Sequence, residues 1–127
     1  MANQIIFTEQ APAPIGPYSQ GVRAGNTVYV SGQIPLDAQG QMVGADDVAA
    51  QTQQVLKNLT AVLAAASLSL TDVVKCSIFV RDLNHFGTIN QVYGTFFPEA
   101  TAPARETVEV IRLPRDVDVE ISCIAVG

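Results

Sequence analysis

The sequence predicts an α+β fold: a mixed β-sheet with two helices on one face. Three observations predict it. Six strand-like segments stand beside only two segments of helical period. Their order along the chain is β-β-β-α-β-α-β-β, and the strands show the alternation of a sheet with a covered face. At 127 residues the chain has the size of one domain with its own core, and residues 1–127 read as a single unit.

The first strand candidate is Gln4 to Thr8. Pro12, Pro14 and Pro17 in the following APAPIGPYSQG segment forbid a helix and remove three backbone donors. Gly21 to Ala24 and Thr27 to Ser31 read as two strands joined by a tight turn at Gly25-Asn26. A loop from Gly32 to Gly44 follows. Asp46 and Asp47 offer an N-cap for a long helix whose apolar stripe is Val48, Thr52, Val55, Leu59, Val62, Leu63 and Ala66, with Gln51, Gln54, Lys57 and Asn58 off it. Val73 to Val80 reads as a buried strand. Asn84 is the expected cap of a second helix with the face Phe86, Ile89, Tyr93, Phe96 and Phe97, stopped by Pro98. The last strands are Ala104 to Ile111 and Val117 to Val126, around the turn Leu113-Pro114-Arg115-Asp116.

Composition narrows the function classes. Hydrophobic residues make up 48% of the chain and charged residues 15%, the reverse of a disordered segment. Seven Lys+Arg against twelve Asp+Glu give a net charge of −5, so a phosphate backbone is a poor partner. Two cysteines without a CxxC spacing make neither a disulfide framework nor a zinc site, and they fit a reducing compartment. No signal peptide or membrane span is legible, so the expected location is the cytoplasm.

Side chains alternate faces along a strand, which assigns residues to the helix side or the open side of the sheet. Val117, Val119, Ile121, Cys123 and Ala125 are expected to meet the helices, as are Val28 with Val30, Val108 with Val110, and Val74 with Cys76, Ile78 and Val80. That leaves Tyr29, Ser31, Val73, Lys75, Ser77, Phe79, Arg105, Thr107, Glu109, Ile111, Asp118, Glu120, Ser122, Ile124 and Val126 on the open side. So mixed a face, with so many apolar members, invites covering by further copies of the chain.

The candidate chemistry lies on that side. Arg105 in an apolar strand needs a partner. It is either a structural ion pair with Glu120 or Glu109, or a two-pronged clamp for a small carboxylate. Glu120 is either a solvated or paired carboxylate, or a base that positions water. Tyr18, in the rigid Pro/Gly loop, is a pocket wall or a cover for a sheet edge. Ser31 offers a hydroxyl and Gly32 an approachable backbone N–H. His85 falls in the first turn of the second helix and reads as exposed or capping. Cys76 and Cys123 read as buried hydrophobes. Asn58-Leu59-Thr60 is a mid-helix sequon of no consequence, and there is no metal-ligand cluster, P-loop or GxGxxG.

The segments IGPYSQG, VSGQIP, DVVKCSIFVRDL, INQVYGTFF, PARETVEV and LPRDVDVEISCIAV, in this order over nearly the whole chain, resemble the Rid family (reactive intermediate deaminase, also called YjgF or L-PSP). The resemblance implies a chorismate-mutase-like α+β fold and a homotrimer with substrate clefts between subunits. It implies hydrolysis of 2-imino acids to 2-keto acids and ammonia without cofactor or metal, acting on products of pyridoxal-phosphate dehydratases. By the same resemblance Arg105 binds the substrate carboxylate and Glu120 positions the water. Tyr18, Ser31, Gly32, Asn90 and Pro114 match pocket positions. Thr107 stands where many members carry Cys, which leaves the preferred substrate side chain open. Two other functions compete: a non-catalytic trimer that senses keto acids, which would bind without turnover, and an endoribonuclease or translation inhibitor, which the acidic composition disfavours.

Overall fold

The computed structural model describes residues 2–127. Six strands form one sheet in the order β1-β2-β3-β6-β4-β5. They are β1 (Gln4–Ile6), β2 (Gly21–Ala24), β3 (Thr27–Gln33), β4 (Val73–Val80), β5 (Ala104–Glu109) and β6 (Val119–Val126). Every neighbouring pair is antiparallel except β4 and β5. A parallel pair needs a crossover, which here runs through the second helix, α2 (Phe86–Phe96). The first helix, α1 (Val48–Ala65), packs on β3, β6 and α2. The expected α+β order and the mixed sheet are therefore found.

The core lies between the sheet and the helices. From α1 come Val55, Leu56, Leu59, Val62 and Leu63, and from the sheet Val28, Cys76, Ile78, Val80, Val119, Ile121 and Ala125, all 0–1% exposed. Asp47 caps α1 by accepting from the Ala50 N–H. The capping of α2 differs from expectation. Asp82, not Asn84, accepts from the Asn84 N–H, opening a 3₁₀ turn over Leu83–His85 that leads into the helix. His85 accordingly precedes α2 at its N-cap position and makes no side-chain cap bond.

Two amides expected outside the α1 stripe are buried. Gln51 donates to the Gly44 carbonyl and the Asp118 carboxylate, and its own oxygen accepts from the Asp118 N–H. Asn58 donates to the carbonyls of Ile34 and Leu36. Each amide satisfies loop backbone groups that would otherwise be orphaned, so burial is tolerated. Together they lash the segment after β3 onto α1.

The face assignment holds for β3 and β6 and fails in two places. A register shift between Val73 and Lys75 turns Val73 into the core and Val74 outward. In β5 the expectation is inverted throughout. Its partners across the parallel pair are Cys76 for Arg105, Ile78 for Thr107 and Val80 for Glu109, all core-facing in β4. Arg105, Thr107 and Glu109 therefore point to the helix side, and Val108 points to the open side beside Phe79. The physical reason is that β5 is an exposed edge strand beyond the aliphatic core, whose helix side reaches α2 through Arg105, at Asn90 and the rings of Phe86 and Tyr93.

The open side remains apolar in large part. A cross-strand row runs Ile5, Val22, Tyr29, Ile124, and a second runs Glu120, Phe79, Val108. Lys75 and Glu106 form an ion pair on this side, and Ser77 donates to the same carboxylate.

Candidate active site

The expected site residues fall into two separate groups. The first surrounds a cavity of about 610 Å³ lined by Tyr18, Ser31, Gly32, Pro114 and Glu120, with Pro12, Ile15, Ile34 and Leu36 as apolar wall. The Pro-rich loop that carries Tyr18 is held by Gln20, which is 1% exposed. Its amide donates to the carbonyls of Thr8 and Pro12 and accepts from the Thr8 N–H. Ser31 is tied to that loop through its hydroxyl, which donates to the Ser19 carbonyl at 2.6 Å, and through its N–H, which donates to the Gln20 carbonyl.

The carboxylate of Glu120 lies over Gly32, where β3 shifts register against β6. Burial pushes the Glu120 carboxyl above the ordinary carboxylate range. Such a group holds a proton more readily than a surface glutamate and is a stronger base once ionised.

Pro114 belongs to a 3₁₀ turn in which Arg115 and Asp116 both adopt left-handed backbone angles, φ 56° and 57°. The turn is secured by Arg112 Nε to Asp116 Oδ1 at 2.9 Å and by Arg81 donating to the Asp116 carbonyl. The guanidinium of Arg112 holds the Asp116 carboxyl below its usual range. Strained turns of this kind persist where surrounding contacts over-determine them, and they concentrate at functional sites. Arg115 also lines the cavity and donates to the Gly40 carbonyl. Gln20 and Arg115 escaped the sequence reading. The pattern Gln20 before a strand start, after three prolines, is the only signal that could have marked the first.

The second group lies across the sheet. Arg105, Asn90, Tyr93 and Pro103 border an open cavity of about 630 Å³. Arg105 Nη1 donates to Asn90 Oδ1 at 2.8 Å, and its guanidinium carbon stands 4.8 Å from the Tyr93 ring centre and 5.6 Å from that of Phe86. Arg105 makes no ion pair among the described residues. Lys75–Glu106 and Arg112–Asp116 are the pairs found, and Glu109 instead accepts from the Leu83 N–H. The structural ion-pair alternative for Arg105 is thus excluded within one chain. Thr107, two residues on and on the same side, has a buried hydroxyl without a hydrogen-bond partner among the described residues.

Cys76 and Cys123 are opposite each other on β4 and β6 and both buried. Burial raises both thiol pKa values, that of Cys123 to about 12. They are not poised nucleophiles. Among the described residues no group of three or more His, Cys, Asp and Glu is arranged to hold a metal ion. Nor is any helix among them long and apolar enough to cross a membrane.

Comparison with known proteins agrees with this architecture. Residues 8–127 match the family model described as Endoribonuclease L-PSP. A 2-iminobutanoate/2-iminopropanoate deaminase of Salmonella typhimurium is 53% identical over 126 residues, 98% of each chain. A RutC family protein of Pyrococcus horikoshii is 49% identical over 122 residues, 96% of each chain. The crystal structure of a Rid family protein of unknown function from Yersinia pestis superposes with a TM-score of 0.95 at 42% identity, covering 99% of this chain and 100% of that one. The sheet order, the helix placement and these full-length matches together establish that the chain belongs to the L-PSP family, also called Rid.

Proposed function

We propose that the chain is a cofactor-independent deaminase that hydrolyses small 2-imino acids, 2-iminobutanoate and 2-iminopropanoate among them, to 2-keto acids and ammonia. The carrying observation is a pair of separate cavities, one bordered by an arginine that makes no ion pair among the described residues, the other, on the opposite face of the sheet, by a glutamate whose carboxyl is held above its ordinary range. The similarity at 53% identity to a protein of that name supports the choice of substrate.

The reaction asks for little machinery. The C=N carbon of a protonated imine is already electrophilic. Arg105 holds the substrate carboxylate with two N–H donors. Glu120 accepts a proton from water as the water oxygen bonds to that carbon, and the proton passes to the nitrogen. Glu120 then takes the hydroxyl proton as the C–N bond breaks and the carbonyl forms, and that proton leaves with the ammonia as ammonium. Positioning of this kind contributes about 7 kcal/mol or more in favourable cases. Tyr18, Ser31, Gly32 and Pro114 shape the glutamate side, and Asn90 and Thr107 the arginine side.

Arg105 and Glu120 occupy opposite faces of one sheet, so one chain does not close a site around one substrate. The proposal therefore includes assembly, with Arg105 of one copy facing Glu120 of another in a homotrimer. The apolar rows of the open side supply surface for that contact. Sedimentation equilibrium should report about three chains per particle, and a stable monomer would refute the shared cleft.

The decisive assay follows loss of imine generated in situ, with 2-ketobutyrate binding measured in parallel. Arg105→Lys keeps charge but loses the planar fork, and should lower kcat/KM about a hundredfold. Wild-type turnover with an unchanged Arg105→Lys variant sinks the site assignment. Keto-acid binding without any turnover replaces the enzyme with a sensor. RNA cleavage, which the family's descriptive name suggests, predicts degradation of RNA by the pure chain, against the repulsion expected at net charge −5.

A further inference from the structure

We infer that Phe86 and Tyr93 are positioning residues which, with Asn90, form a cradle that fixes the plane of the Arg105 guanidinium; this rests on the reading of Arg105 as the carboxylate clamp. Phe86, Asn90 and Tyr93 stand at spacings of four and three on α2 and so share a stripe of that helix. That stripe faces the one edge-strand arginine. The guanidinium carbon lies within 6 Å of both ring centres, the range in which a cation is attracted by an aromatic face.

Geometry explains why a cradle is needed. Arg105 is exposed, and a long exposed side chain has much rotamer freedom to lose when it grips a ligand. Stacking on a ring restrains the guanidinium plane without consuming its N–H donors. Asn90 takes one donor at 2.8 Å and thereby sets rotation within the plane. The remaining donors, with no carboxylate among the described residues within ion-pair distance, are left for a ligand. Tyr93 is itself held, 4% exposed, with its ring 4.7 Å from that of Phe97. Asn90 thus acts through Arg105.

The working part of Tyr93 is its ring. Its hydroxyl is buried against the Cys76 thiol and so is not presented to a ligand at Arg105. Phenylalanine should therefore replace it and leucine should not. Phe86 is 38% exposed, so Phe86→Leu removes an aromatic face with little disturbance of the core and serves where Tyr93→Leu proves too unstable.

The test combines nitrogen-15 NMR of the Arg105 side chain, identified by its loss in Arg105→Lys, with steady-state kinetics on imine generated in situ. In wild type the Arg105 Nε–H signal should be displaced by the rings, with slow rotation of the guanidinium. Tyr93→Leu or Phe86→Leu should return the signal to the free-arginine position and raise KM about tenfold with kcat within about twofold. Tyr93→Phe should recover both values. A purely structural role for the rings would lower Tm and leave KM and the signal alone, which overturns the inference. A freely rotating Arg105 in an active wild type also overturns it and leaves the deaminase reading standing. A restrained Arg105 in a chain that neither binds keto acid nor consumes imine rejects the deaminase reading and upholds the cradle.

Discussion

Gly32 and Glu120 are in closer contact than any side chain at position 32 would permit: a Cβ built on Gly32 would stand 2.6 Å from Oε2 of Glu120 and 2.8 Å from its Cδ. The clash is with the far end of a flexible side chain, and Gly32 has no left-handed backbone angle to relieve. Alanine is therefore compatible with the fold but not with the carboxylate where it now lies. Gly32→Ala should leave Tm within a few degrees of wild type and lower kcat about tenfold or more, since a displacement near 1 Å suffices for losses of that order. Thermal melts beside imine turnover check both halves. Full activity would mean that the position of Glu120 over Gly32 is immaterial.

Glu120 also sets a pH dependence. Burial raises its pKa in the folded chain above the ordinary 4.5. A base must be deprotonated, so kcat/KM should rise with pH through that raised value, at higher pH than a surface glutamate would give. The linkage runs the other way for stability. Between the unfolded and folded pKa values the folded chain binds more protons, so stability falls as pH rises through that interval. Glu120→Gln abolishes the cost of the buried charge and should raise Tm at neutral pH while removing most turnover. The acid limb should vanish from any residual rate.

The paired cysteines should be silent in the chemistry. Both thiols are buried and shifted up, Cys123 to about 12, so neither supplies thiolate at neutral pH. The native chain should resist alkylation and react at both positions once unfolded. Cys76→Ala/Cys123→Ala should cost about 1–3 kcal/mol through two small voids and keep its turnover per folded chain. Loss of turnover in a fully folded double variant contradicts this.

The legibility of these features in the sequence was uneven for identifiable reasons. The α1 stripe and the core faces of β3 and β6 follow from period alone, because aliphatic side chains meet aliphatic side chains there. Alternation in β5 establishes only that Arg105 and Thr107 share a face. It does not say which face meets α2, and the apolar Val108 lies on the open one. An arginine among rings breaks the rule that apolar means inward. Gln20, Gln51 and Asn58 are buried because loop carbonyls and N–H groups far along the chain meet them, and no local pattern carries that information. The left-handed pair Arg115-Asp116 is equally invisible, since neither residue is glycine.

The inverted face of β5 yields the sharpest test of the whole reading. If both catalytic side chains pointed to one side of the sheet, each chain could hold a complete site, and two inactive variants would stay inactive when mixed. Arg105 lies on the helix side and Glu120 on the open side, so the proposed cleft between copies would draw its arginine from one chain and its glutamate from another. Arg105→Ala and Glu120→Gln should each be nearly inactive alone. Unfolded together and refolded as mixed trimers, they should regenerate intact clefts wherever a Glu120→Gln chain supplies Arg105 to an Arg105→Ala chain. In a head-to-tail ring with random assortment that is about one cleft in four, so about a quarter of wild-type activity should return. Mixing without unfolding should restore it only as fast as subunits exchange. No recovery from well-folded mixed trimers would place both residues in one chain's site and refute the shared cleft.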